Sequence, residues 1–413
     1  MKKKIYIFNG LSRAAAYGIG TYIDQLILCL KKSKIDFNIV YLHAKCDNVN
    51  VVNKDGYGQI NIPKVEYKSQ IKSSLYYAKS VAYLLRDIIV DDENIQYIFH
   101  LNFMTNESLV KDLRQLFKCK IILVAHYTNW SFEFLGNEKR FYKLMQKKYS
   151  EIKFDNERNI YKSAKEDIRM IKKSDRFVCV AEHTYNSFCK ISDITNVQNL
   201  IINNGIKDEY KRVNKEMKNI IRKKYFLNHD TPVILFAGRL DEVKGVSYII
   251  KAFKKTHELY PNARLFIAGE GSFSGLLNDS KNHWTNISFT GKLDKKQLFE
   301  FYNISNIGII SSLHEEFGLV AIEMMMHELP IIASDTGGLS EIIEENISGL
   351  KIQIETKQEK RFINTAKLSQ KINCLLENPQ KAKELGVNAR KRFLDKYELS
   401  VFEKKMINLY HTI

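Results

Sequence analysis

Short apolar runs alternate with longer mixed stretches along the chain. Residues 5–8, 37–42, 97–101 and 121–125 are mostly apolar, and 177–180 and 200–202 extend the series. Between them, 19–31, 74–89 and 107–117 repeat apolar positions at helical spacing. A strand covered on both faces reads as an apolar run, so the alternation predicts βαβ units around a parallel sheet. Residues 130–173 interrupt the pattern. This stretch is charged, aromatic and helical in period, and is read as an insertion outside the sheet. A lid or acceptor-recognition element and plain helical packing fit it equally. Asn203-Asn204-Gly205 is turn chemistry, and the basic stretch 211–224 is read as the interdomain crossing. After Pro232 the alternation restarts at 233–237 and runs to 331–333. The pattern predicts an α/β chain of two doubly wound, Rossmann-like domains of similar size, 1–205 and 206–395. A helix over 396–413, with Phe402, Met406 and Leu409 on one side, is expected to cross back to the N-terminal domain.

Composition narrows the class. The chain has 413 residues, 45% apolar and 27% charged, with 19 Gly and 5 Pro, which fits a globular protein and not a disordered or collagen-like one. Its six cysteines form no CxxC pair, which disfavours a disulfide scaffold or a structural zinc site. No apolar run approaches the roughly 18–20 residues that span a bilayer. Lys2-Lys3-Lys4 precedes only four apolar residues before Asn9-Gly10, whereas a secretory signal needs about 7–15. A cytoplasmic protein is therefore expected. The formal charge is +17, split about +10 over 1–210 and +7 over the rest. Spread charge of this kind suits phosphorylated small molecules or an anionic membrane surface, as well as a plain solvated surface. No nucleic-acid motif accompanies it.

Open α/β sheets bind ligands at the carboxyl ends of their strands, so the loops after the strands hold the candidate chemistry. After the first strand, 9–16 lead into Tyr17-Gly18-Ile19-Gly20, a glycine-containing turn that opens a helix and could present N–H groups to an anion. It is neither a dinucleotide fingerprint nor a P-loop. After 233–237 comes Gly238-Arg239-Leu240-Asp241-Glu242-Val243-Lys244-Gly245, which puts two cations at the mouth of the sheet. Such a pair could grip a diphosphate, Arg239 through forked hydrogen bonds and Lys244 as a mobile charge. After 307–310 comes His314-Glu315-Glu316-Phe317-Gly318-Leu319-Val320, with Glu323 further along the following helix. Its carboxylates could accept from sugar or ribose hydroxyls. Gly269-Glu270-Gly271, Thr290-Gly291-Lys292 and Ser334-Asp335-Thr336-Gly337-Gly338 end three more strands of the same half.

Together GRLDEVKG, the GEG turn, FTG, EEFGLVAIE and SDTGGLSEII resemble the two-Rossmann-domain (GT-B) glycosyltransferases of the retaining family four, glycosyl transferases group 1. YGIGTYIDQL and IINNGI match more loosely. The resemblance implies two domains facing a cleft and transfer of a sugar from a nucleotide-sugar donor to an acceptor hydroxyl with retention, in cell-surface glycan or glycoconjugate synthesis. It implies that Arg239 and Lys244 neutralise the donor diphosphate, with Gly18 beside it from the other domain. Glu323 is implied to bind the ribose, and Glu315 the donor-sugar hydroxyls. The backbone of Phe317, Gly318, Leu319 and Val320 is implied to lie near sugar and phosphate, and Glu270, Thr290 and Gly291 near the base. His126, after the 121–125 strand, matches a family histidine that touches the donor sugar near the reacting carbon. The chain departs from the family at Glu316, where Pro is common, and at Lys207 and Tyr127, where Asp is common. No D-x-D motif is evident, so neither a metal nor another cofactor is expected. The expected partners are the nucleotide sugar, a lipid-linked, glycan or peptide acceptor, and peripheral contact with an anionic membrane, but no nucleic acid. A GT-B nucleotide-sugar epimerase and an inactive GT-B binding subunit are the alternatives.

Overall fold

The computed structural model describes residues 1–10, 18–65, 70–90, 92–102 and 107–413, with only the backbone of 70–74. The chain divides into two compact units. One comprises Met1–Trp130, Glu138–Gly205 and Leu399–Ile413; the other comprises Ser131–Asn137 and Ile206–Glu398.

Among the described residues the first unit is built on strands β1 (Lys2–Gly10), β2 (Asp36–Ala44), β3 (Asn50–Lys54), β4 (Tyr57–Pro63), β5 (Ile95–Leu101), β6 (Cys119–Ala125), β7 (Arg176–Cys179) and β8 (Gln198–Ile201). Their order in the sheet is β3-β4-β2-β1-β5-β6-β7-β8, parallel except for the β3–β4 pair. Ile5, Ile7 and Phe8 of β1 are buried completely because neighbours cover both faces. Helix Gly18–Ser33 buries Ile19, Tyr22, Ile23, Leu26, Cys29 and Leu30, a stripe at helical spacing. Helix Leu399–Thr412 belongs to this unit, and its Tyr410 is fully buried. Lys3 donates from Nζ to the backbone oxygens of Tyr410 and His411 at 2.9 Å, which satisfies carbonyls that the helix end leaves unpaired.

The second unit contains β9 (Val233–Ala237), β10 (Arg264–Ala268), β11 (Ile287–Gly291), β12 (Ile307–Ile310), β13 (Ile331–Ser334) and β14 (Leu350–Ile352) in the order β11-β10-β9-β12-β13-β14. Strands β15 (Ile354–Lys357) and β16 (Lys360–Ile363) form a separate hairpin. From β9 the chain moves outward to β10 and β11, then returns to the far side of β9 as β12. The order therefore reverses between β9 and β12, and a crevice at that point is where a doubly wound sheet places its ligand. No described helix is long and apolar enough to cross a membrane.

The region 130–173 does not behave as one insertion. Helices Glu138–Met145 and Asp155–Lys173 pack within the first unit, whereas Ser131–Asn137 groups with the second. The reason lies in specific bonds. Arg361 on β16 donates to the Leu135 carbonyl at 2.9 Å, and the Asn137 amide donates to the Glu359 carbonyl at 2.8 Å.

Candidate active site

The loops at the β9–β12 reversal are tied together largely through backbone groups. Gly245 adopts φ +66°, a left-handed conformation that suits glycine, and a Cβ there would stand 2.2 Å from the Ser311 carbonyl. Ser311, just past β12, donates from Oγ to the carbonyls of Lys244 and Gly245 at 2.9 and 3.0 Å. The Leu313 N–H donates to the Val243 carbonyl at 2.7 Å. The loop after β9 is thus tied to the loop after β12. A third loop is joined in the same way. Gly338 donates its N–H to the Glu315 carbonyl at 2.8 Å, and a Cβ at Gly338 would meet the Phe317 carbonyl at 2.4 Å.

The cations and carboxylates foreseen from sequence sit on this frame. Lys244 Nζ donates to Glu315 Oε2 at 2.5 Å, and both side chains are mostly buried. Ser312 Oγ donates to the same oxygen at 3.0 Å. An ammonium has three donors, so Lys244 keeps two after this pairing. Arg239 pairs with Asp241 at 3.0 Å, and its guanidinium lies over the Phe132 ring, 5.8 Å from the centroid. Phe132 belongs to the 131–137 segment, so this segment supplies a wall for Arg239 that sequence reasoning did not identify.

Glu323 projects from helix Leu319–Met326. Its Oε2 accepts from the Tyr302 hydroxyl at 2.9 Å. Burial pushes the Glu323 carboxyl above its ordinary range, and the Tyr302 bond opposes that shift. Phe317 is buried against Tyr397, with ring centroids 6.0 Å apart. Gly318 precedes the helix at φ +118°, and Leu319 and Val320, half-buried, occupy its first turn. The first N–H groups of a helix have no partner within it, so this turn can receive an anion. Glu270 is exposed beside Leu240, whose N–H donates to the Glu270 carbonyl at 2.9 Å. Thr290 and Gly291 end β11, and the Gly291 carbonyl accepts from Gly269 at 2.9 Å.

In the first unit Gly18 is the exposed first residue of helix Gly18–Ser33. Residues 11–17, which include Tyr17 of the foreseen turn and most of its approach, lie outside the described residues. His126 follows β6, and its Nε2 lies 3.0 Å from Asn102 Oδ1. The ring packs edge-on to Tyr22 at 4.5 Å. Burial, with the His100 ring nearby, pushes the His126 imidazole down to about 3. Asn102, His100, Tyr22 and Tyr302 were not identified in the sequence. Asn102 follows β5, the strand beside β1 where this sheet reverses its order, and that position was the available signal.

Residues 217–392 match the family model described as Glycosyl transferases group 1. An uncharacterized glycosyltransferase of Methanocaldococcus jannaschii is 28% identical over 244 residues, 57% of this chain and 60% of that protein. The alpha-D-kanosaminyltransferase of Streptomyces kanamyceticus is 24% identical over 210 residues, 50% of this chain and 52% of that protein. The chain thus spans about half the length of the curated relatives it matches. Sucrose-phosphate synthase from Thermosynechococcus elongatus superposes with a TM-score of 0.78 at 19% identity, covering 99% of this chain and 98% of that one. Anabaena HepE, solved in complex with UDP-glucose, superposes with a TM-score of 0.71 at 14% identity, covering 99% and 100%. The fold is that of the GT-B glycosyltransferases, with two Rossmann-like α/β domains.

Proposed function

Starting from the glycosyl transferases group 1 match over 217–392, we propose that this protein is a glycosyltransferase that takes its sugar from a nucleotide-sugar donor. The observation that carries the reading is the convergence at the β9–β12 reversal. Lys244, Glu315 and the first turn of helix Leu319–Met326 stand on loops bonded directly to one another. A donor diphosphate there meets Arg239, the remaining Lys244 protons and the helix N–H groups. Negative charge grows on the diphosphate as the anomeric C–O bond breaks. Fixed positive groups stabilise that charge without reorganising during the reaction. Glu315 Oε1, without a partner among the described residues, can accept from a sugar hydroxyl. Glu323 can accept from ribose hydroxyls through its other oxygen while Tyr302 holds the first. HepE in complex with UDP-glucose supports a nucleotide-sugar donor for this fold.

The finer reading is a retaining, metal-independent transfer to a hydroxyl of a lipid-linked, glycan or peptide acceptor in glycan synthesis. His126 is assigned the donor sugar by family resemblance. The bond from sugar to phosphate breaks on the face where the acceptor oxygen attaches, and the departing phosphate takes the acceptor proton. The protein works in the cytoplasm, and its basic surface meets anionic membrane when the acceptor is lipid-linked.

The test is turnover of a nucleotide-sugar panel, followed as nucleoside diphosphate release with product mass. Arg239→Ala and Lys244→Ala each cut release by about 10²–10³, measured below the unfolding transition of each variant. Wild-type rates in both variants would refute the site. Chelation with EDTA leaves the wild-type rate unaltered, and anomeric proton NMR shows the donor configuration kept. Free sugar in place of an acceptor conjugate would favour the epimerase.

A further inference from the structure

A chain of four polar side chains runs through the interior of the first unit behind His126. The Asn102 amide donates from Nδ2 to the Phe8 carbonyl at 3.3 Å. That contact fixes the orientation of the amide, because its oxygen cannot face another carbonyl oxygen. Asn102 Oδ1 therefore faces two imidazoles, His126 Nε2 at 3.0 Å and His100 Nε2 at 3.1 Å. A carbonyl oxygen only accepts, so both nitrogens carry hydrogen. The remaining nitrogen of His100, Nδ1, lies 2.7 Å from the Tyr410 hydroxyl and accepts from it. The Tyr22 hydroxyl oxygen is 3.3 Å from His100 Nε2 and shares its proton. His100, Asn102 and Tyr410 are buried.

From this arrangement we infer that Asn102 is a positioning residue that locks His126 as the neutral Nε2–H tautomer, so that Nδ1 is presented as a hydrogen-bond acceptor. His100, held by Tyr410 of helix Leu399–Thr412, is the second clamp on the same oxygen. A neutral imidazole has one donor and one acceptor, so fixing Nε2 as the donor decides what Nδ1 can bind. The group it selects is a hydroxyl hydrogen, and not a phosphate or carboxylate oxygen. Burial keeps both rings neutral through the physiological range, with His100 pushed down to about 4. The catalytic consequence rests on the proposed assignment of His126 to the donor sugar. The tautomer itself does not.

The experiment is two-bond ¹H–¹⁵N correlation NMR of the full chain labelled at histidine, with His126→Gln and His100→Gln used for assignment. Both rings are expected as neutral Nε2–H forms from about pH 6 to 8. A neutral Nδ1–H form or an imidazolium at His126 would overturn the lock. Asn102→Ala is expected to bring Nδ1–H signal into the His126 spectrum and to lower kcat about tenfold or more, with the KM for UDP-glucose, or whichever donor the panel selects, little changed. Tyr410→Phe, which removes one oxygen atom, shifts the His100 Nδ1 resonance and leaves His126 as Nε2–H. This variant keeps the test open if Asn102→Ala unfolds. A confirmed tautomer with unchanged kcat in Asn102→Ala would end the positioning role while leaving the donor site, judged by Lys244→Ala, intact.

Discussion

Glu323 is caught between two demands. The ribose recognition proposed for it calls for an ionised acceptor, but burial raises the cost of that charge. The Tyr302 hydroxyl offsets part of the cost through one hydrogen bond. A carboxyl raised on folding binds its proton more tightly in the native chain, so stability falls as pH rises through the raised value. Glu323→Gln keeps an acceptor for Tyr302 and removes the charge. It is expected to raise the thermal midpoint by about 2 °C near neutral pH and by less near pH 5. The same change raises the donor KM about 10- to 100-fold, because a hydrogen bond to a charged group is lost. Scanning calorimetry and donor titration check the two halves separately.

The histidines carry the opposite sign. His126 and His100 have their folded values depressed by burial, to about 3 and about 4. Above the unfolded value near 6.5 both states are neutral and nothing is lost. Below it the unfolded chain gains protons that the native rings refuse. Each then contributes a loss of up to about 1.4 kcal/mol per pH unit until its folded value is reached. Denaturant midpoints measured from about pH 7 down to 4 should fall steeply for the wild type and less for His100→Gln.

At the scale of elements, the sequence was most readable where chemistry is local. β1, β5, β6, β9 and β12 are buried from both sides, so their apolar runs stand out. The loops after β9 and β12 follow such strands, so Arg239, Lys244 and Glu315 could be placed on them by counting, and Glu323 on the helix that comes next. The hairpin of β3 and β4 escaped because every residue of β3 is exposed, leaving no alternation to read. Helix Pro379–Lys396 escaped because its buried positions include Ala382, Gly386 and Ala389, which scarcely mark a face. The polar chain behind His126 was illegible for another reason. Tyr410 and His100 are 310 residues apart, and only tertiary folding joins them. The Lys244 loop gives a test at this scale. Gly245→Ala forces a Cβ against the Ser311 carbonyl and strains a positive φ. It should cost about 2 kcal/mol or more and lower kcat, whereas Ser311→Ala should cost about 1 kcal/mol. Urea unfolding and diphosphate release measure both effects.

Over the whole molecule, the polypeptide passes between the two units four times, at 130/131, 137/138, 205/206 and 398/399. The last two passages are bonded to each other within the second unit, since the Ile206 N–H donates to the Tyr397 carbonyl at 3.0 Å and Ile206 bridges Glu398. A single proteolytic nick therefore cannot liberate either half. Trypsin cutting after the exposed Lys207 should yield one species in native electrophoresis and two once denatured. Expressing 206–398 as an isolated fragment would omit the Leu135 carbonyl that Arg361 grips and the ring that lies against Arg239. Anyone cloning the second unit must graft back a seven-residue peptide from the other side of the gene, 131–137.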